Sequence, residues 1–127
     1  MSRTQVQTPE APQPLAGAPY AQAVAWGELV FTSGQIPVDP ETNELIEGDA
    51  ATQTRQVLAN VDAVLRAGGS GLDKVLKTTV FLADLADWPA MNDVYRELVG
   101  EALPARSAVQ VGLPAGVKVE IEAVGHR

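Results

Sequence analysis

Apolar positions recur at two spacings along the chain: every second residue in several short runs, and at helical spacing in two longer ones. Gln22 to Trp26 and Leu29 to Ser33, separated by Gly27-Glu28, read as two strands around a two-residue turn. Asp49 is placed to cap a helix from Ala50 to about Ala67, in which Val57, Val61, Val64 and Leu65 share a face and Gly68-Gly69 supplies the stop. Gly34 and the segment from Pro37 to Pro40 break the strand pattern, and Val75 to Leu82, rich in Val, Thr and Phe, predicts a further strand. A second helix opens at Asp87 with Pro89 in its first turn, aligns Met91, Val94, Tyr95 and Leu98, and ends at Gly100. Arg106 to Val111 and Val117 to Val124 close the chain as strands around Leu113-Pro114-Ala115-Gly116. Residues 1–19 contain Pro9, Pro12, Pro14 and Pro19 and predict an extended arm that resists helix and sheet. Two amphipathic helices and about five or six strands predict an α+β sandwich, one domain over 1–127, with both helices on one sheet face.

The last two strands sharpen this. Val117, Val119, Ile121 and Ala123 alternate with Lys118, Glu120 and Glu122; Ser107, Val109 and Val111 alternate with Arg106, Ala108 and Gln110. If both apolar sets face the helices, Arg106, Glu120 and Glu122 emerge together on the opposite face. Parity does not establish contact, because another strand can lie between these two.

Composition narrows the chemistry. A chain of 127 residues with two each of Trp, Tyr, Phe and Met has little volume for a deep private pocket. There is no Cys and one His, His126, in a tail expected to fray, so thiol, zinc and His-triad chemistry are disfavoured and no metal is expected. A net charge of −7 with scattered basic residues argues against a nucleic-acid surface. No apolar run reaches the ~18 residues of a membrane span, and no signal segment opens the chain. A soluble cytoplasmic protein is expected.

Each candidate has a plainer alternative. Arg106 is a bidentate clamp for a substrate carboxylate or an ion-pair partner of Glu120 or Glu122. Glu120 positions or deprotonates a water, or shares that ion pair. Thr32-Ser33-Gly34-Gln35 brings a ligand close to backbone N–H groups or only redirects the chain. Tyr20 is a pocket-rim hydroxyl or a packing anchor, and Asn92 borders a site or is solvated. Lys77, in a strand, is the candidate for Schiff-base chemistry.

These segments together resemble the RidA/YjgF family of enamine/imine deaminases from about Gly17 to Val124. The resemblance rests on Gly17-Ala18-Pro19-Tyr20-Ala21-Gln22-Ala23-Val24, Thr32-Ser33-Gly34-Gln35-Ile36-Pro37, Gln53 to Asn60 and Lys77-Thr78-Thr79-Val80-Phe81. Asn92-Asp93-Val94-Tyr95, Pro104-Ala105-Arg106-Ser107-Ala108-Val109 and Val119-Glu120-Ile121-Glu122-Ala123 complete it. It implies a chorismate-mutase-like α+β fold, a homotrimer with ligand clefts between subunits, and cofactor-free hydrolysis of 2-iminopropanoate or 2-iminobutanoate to 2-oxo acids and ammonia. By the same resemblance Arg106 holds the substrate carboxylate, assisted by backbone N–H groups near Gly34 and Ala108. Glu120 positions the water, and Tyr20, Ser33 and Asn92 line the cleft. The family often carries Cys where this chain has Ala108, and many members have one more residue before the Leu-Pro turn, which leaves Glu120 and Glu122 both open for the water. The alternatives are a non-catalytic binder or sensor of small carboxylates and, against the charge, an endoribonuclease.

Overall fold

In the computed structural model, which describes residues 2–127, the chain alternates short strands with two helices. The strands are β1 (Thr4–Val6), β2 (Ala23–Trp26), β3 (Leu29–Thr32), β4 (Val38–Asp39), β5 (Glu44–Leu45), β6 (Val75–Leu82), β7 (Ala105–Gln110) and β8 (Val119–His126); the helices are α1 (Ala50–Ala67) and α2 (Trp88–Val99). Six strands form one mixed sheet in the order β1-β2-β3-β8-β6-β7, while β4 and β5 pair separately. Only the β6–β7 pair is parallel, and α2 is its crossover.

The helices form where the pattern places them. Asp49 accepts a hydrogen bond from the Thr52 N–H at 2.9 Å, and α1 then presents Val57, Leu58, Val61, Val64 and Leu65, none of them exposed, to the sheet. Val30, Val80, Leu82, Val119 and Ile121 meet them from the sheet, with Met91 and Val94 of α2 completing the core. Asp87 precedes α2 but its side chain makes no cap; Asp84 instead caps the preceding short turn through the Ala86 N–H. Gly27 turns the β2–β3 hairpin with φ +59°, a value that costs a side-chain-bearing residue energy.

Three expectations need correction. The arm is not free of sheet, since β1 adds to the edge of β2 through Thr4–Ala25 and Val6–Ala23 pairing. Its Pro-rich continuation is anchored by buried Gln22, whose amide accepts from Thr8 N–H and donates to the carbonyls of Thr8, Ala11 and Pro12. Proline prevents this segment from forming a ladder, so a side-chain amide supplies the missing partners. Second, His126 is not frayed: it lies in β8 opposite Leu29, and the Arg127 guanidinium donates to the Gly68 and Gly27 carbonyls beyond it. Third, Val38 to Leu45 forms the β4–β5 hairpin where prolines 37 and 40 suggest only a break.

Replacing Gln22 by Leu removes the partner of the Thr8 N–H and of the Pro12 carbonyl and is expected to destabilise the fold by about 2–4 kcal/mol. A chemical-denaturation curve measures it, with faster protease cleavage between residues 8 and 13 as the local signature.

Candidate active site

The predicted site residues gather into two clusters rather than one. Tyr20, Ser33, Gly34, Glu120 and Glu122 line one open cleft with Ile36 and Pro114. Arg106 and Asn92 line another with Tyr95, Arg96 and Leu103.

The first cluster is assembled where the turn after β3 meets β8. Gln35 and Ile121 exchange backbone hydrogen bonds of 2.9 and 3.1 Å, holding Gly34 against the next β8 residue, Glu120. A Cβ at Gly34 would overlap the Glu120 carboxylate, so a larger residue there would push that carboxylate aside. Ser33 is fixed by its own N–H on the Gln22 carbonyl and by its hydroxyl, which donates to the Ala21 carbonyl at 2.6 Å. With that proton committed, the hydroxyl offers lone pairs to a ligand. Glu120 is half-buried and its carboxyl is pushed above the ordinary value of 4.5, first by burial and then by the neighbouring negative charge of Glu122. Glu122 is exposed.

Two buried amides of α1 support this cluster from beneath. Asn60 donates to the carbonyls of Ile36 and Val38, and Gln53 donates to those of Ile46 and Gly116 while accepting from the Lys118 N–H. Both ends of the cleft, the turn after Gly34 and the loop feeding β8, therefore refer back to one helix. Their signal in the sequence is a polar residue on the apolar stripe of a helix, which asks for a specific partner.

The second cluster is built on α2 and the edge strand β7. The Arg106 guanidinium lies 4.8 Å from the Tyr95 ring centre and 5.8 Å from that of Trp88, and its Nη1 donates to Asn92 Oδ1 at 2.7 Å. Tyr95 is itself pinned by a 2.7 Å hydrogen bond between its hydroxyl and Thr78, both buried. Aromatic faces and one amide oxygen hold the cation while leaving further N–H groups for an anion. Trp88, Tyr95 and Thr78 escape a reading by pattern because a helix-face Tyr looks like core; the signal is its hydroxyl, which needs a partner when buried.

The expected common face for Arg106 and the two carboxylates is contradicted. Across the sheet, Arg106 aligns with Thr78 and Ala123, which are buried beneath the helices. Glu120 aligns with Phe81 and Val109 on the uncovered face. The apolar set of β7 fails to face the helices because β7 is an edge strand: Val109 remains 43% exposed, while Ala108 packs on the core. Since β6 also separates β7 from β8, the Cα atoms of Arg106 and Glu120 are on the order of 14 Å apart, from two strand spacings and three residues along the strand.

The edge position leaves alternate backbone N–H groups of β7 outside the ladder. Val111 N–H donates to the Leu82 carbonyl across β6–β7, so by strand alternation the N–H groups of Arg106 and Ala108 point to the unpaired edge. Lys77 pairs with Ala105 and Val124 within the sheet and lines neither cleft. Among the described residues, no group of three or more His, Cys, Asp or Glu is placed to hold a metal, and no helix is long and apolar enough to cross a membrane.

Known proteins of the same kind are numerous. Residues 9–126 match the family described as endoribonuclease L-PSP. A RutC family protein of Pyrococcus horikoshii is 49% identical over 121 residues, covering 94% of each chain. A Salmonella typhimurium protein named 2-iminobutanoate/2-iminopropanoate deaminase is 47% identical over 118 residues, 90% of this chain and 91% of that one. The crystal structure of E. coli TdcF with bound serine superposes with a TM-score of 0.88 at 43% identity, covering 98% of each chain.

Proposed function

The chain belongs to the endoribonuclease L-PSP family, the RidA/YjgF family of the resemblance, and on that premise we propose that it hydrolyses 2-imino acids such as 2-iminopropanoate and 2-iminobutanoate to 2-oxo acids and ammonia. The observation that carries the reading is the half-buried Glu120 carboxylate, held over Gly34 in a cleft with the acceptor hydroxyl of Ser33. Relatives named for this reaction supply the substrate class.

The two clusters divide the work. The Arg106 fork takes the substrate carboxylate, aided by the edge N–H of Ala108. Glu120 takes a proton from a water as its oxygen bonds to the imine carbon, and the C=N pair withdraws to nitrogen. Ser33 accepts an N–H of the substrate nitrogen. The proton on Glu120 passes to that nitrogen, the C–N bond breaks, and ammonia leaves as the hydroxyl gives its proton back to the Glu120 carboxylate and its oxygen closes to a carbonyl. An iminium carbon is electrophilic enough that orientation and one base suffice.

In 2-iminopropanoate the carboxylate and the imine carbon are directly bonded. One chain, with Arg106 and Glu120 on opposite faces, does not reach both ends of so small a molecule. The reading therefore requires Arg106 of one subunit to meet Glu120 of another, as in the homotrimer the resemblance implies. Phe31, Trp26 and Val109, 42–48% exposed on the uncovered sheet face, and the free edge of β7 support such an assembly. Light scattering is expected to give three subunits, and an active monomer would contradict the shared site.

The decisive assay generates 2-iminopropanoate in situ with an amino-acid dehydratase and follows its decay with and without the protein. Acceleration supports the reading; a rate unchanged by folded protein overturns it. The acid side of the pH profile offers a finer check. Glu120 works ionised, so activity rises with pH through its elevated pKa, and Glu122→Gln removes the like charge and moves that limb to lower pH. RNA cleavage is the second reading that the family description raises, and net charge −7 opposes it. Incubation with labelled RNA under the same conditions is expected to leave it intact.

A further inference from the structure

We propose that the cavity between the N-terminal segment and the turn after Gly34 is a side-chain subsite, and that the preferred substrates are 2-imino acids with uncharged branched or aromatic side chains. This rests on the deaminase reading and goes beyond the three- and four-carbon acids for which relatives are named.

The cavity adjoins the Glu120 cleft directly: Tyr20, Gly34 and Ile36 line both. A substrate whose imine carbon faces Glu120 therefore has its side chain beside this opening. The volume is about 210 Å³. For scale, an apolar cavity of about 150 Å³ accommodates benzene. The methyl group of 2-iminopropanoate leaves most of that space without contacts, whereas an isobutyl or benzyl group fills it.

The lining selects apolar, uncharged groups. Pro12, Leu15, Ile36 and Val38 supply hydrocarbon, and no residue around the cavity carries a charge. Its glutamines are committed elsewhere. Gln22 and Gln13 donate to carbonyls of the N-terminal segment, and Gln35 donates to the Ser33 carbonyl. A charged side chain would lose water and find no counter-charge in this lining.

The walls are also fixed before a ligand arrives. Gln22 holds the Pro12 carbonyl at 3.0 Å on one side, and Asn60 holds those of Ile36 and Val38 on the other. Preformed walls mean that filling the cavity adds contact without a cost of ordering it.

The test compares imines of alanine, leucine and phenylalanine, each generated by the same amino-acid oxidase and corrected for uncatalysed decay. The leucine and phenylalanine imines are expected to show kcat/KM at least about tenfold above the alanine imine, the scale of apolar-pocket discrimination. Val38→Phe, which fills the cavity, should collapse that ratio toward one. Leu15→Ala should lower it too, and because Leu15 is 79% exposed its truncation does not endanger the fold. Competitive inhibition by 4-methyl-2-oxopentanoate and by pyruvate provides a readout independent of turnover, with the larger acid binding at least several-fold more tightly. Equal efficiency for all three imines, with ratios unmoved in both variants, overturns the subsite and leaves the deaminase reading intact. Tighter binding of the larger acid without hydrolysis of any imine overturns the deaminase reading and retains the subsite.

Discussion

Replacing Glu120 by Gln is expected to lower kcat/KM for 2-imino acid hydrolysis by about 10²–10⁴-fold, the usual contribution of a positioned general base. Gln has nearly the same shape and remains over Gly34, but its neutral amide is far too weak a base to take the water's proton. The same substitution should not cost stability. Burial and the Glu122 charge raise the folded-state pKa of Glu120 above its unfolded value, so the folded protein binds more protons between the two. That contribution is present at low pH and lost as pH rises through the folded pKa. Near neutrality Glu120 is ionised at a net disadvantage to folding, and Gln removes the disadvantage. A melting curve at pH 7–8 is therefore expected to show a Tm equal to or above that of the wild type, alongside the loss of turnover. A variant that lost activity together with Tm would indicate a structural rather than chemical role.

Arg106→Ala is expected to reduce kcat/KM by at least about 30-fold and as much as several thousand-fold, the range for removing one partner of a desolvated, hydrogen-bonded charge pair. The loss should appear strongly in substrate binding, because the carboxylate is held before and during the reaction. Inhibition by pyruvate, which shares that carboxylate, should weaken in parallel. Arg106→Lys should recover little, since an ammonium lacks the planar fork and stacks poorly on Tyr95 and Trp88. Steady-state kinetics with both acids measures each point. An Arg106→Ala protein with unchanged KM and unchanged pyruvate inhibition would remove Arg106 from the substrate's carboxylate.

The sequence discloses those parts that local chemistry controls. The period of α1, the Asp49 cap and the glycine stops place both helices, and the Gly27 turn places the first hairpin. Its limits appear where a distant partner decides. Proline patterning cannot show that Gln22 ties the arm down from fourteen residues away, nor that Arg127 anchors the end of β8 to α1. Strand alternation correctly puts Glu120 and Glu122 on the uncovered face. It fails for Arg106 because β7 is an edge strand, where hydrophobic residues need not point at the core. Alternation reports which residues share a face, but which face is covered depends on neighbours that the strand's own sequence does not name.

That failure reshapes the site. With Arg106 beside α2 and Glu120 on the far side of the sheet, a small chain does not enclose its substrate alone. The scarcity of large side chains then fits a cleft completed by a second copy.

The most direct test of this account combines the two inactive variants. Arg106→Ala and Glu120→Gln chains, carrying different affinity tags, are co-expressed and the mixed oligomers isolated through both tags. If each site of a trimer takes its arginine from one subunit and its glutamate from the next, every mixed trimer holds one intact site in three, and 2-iminopropanoate hydrolysis should return to about one third of the wild-type rate. Mixed oligomers as inactive as either parent would contradict a site shared between chains.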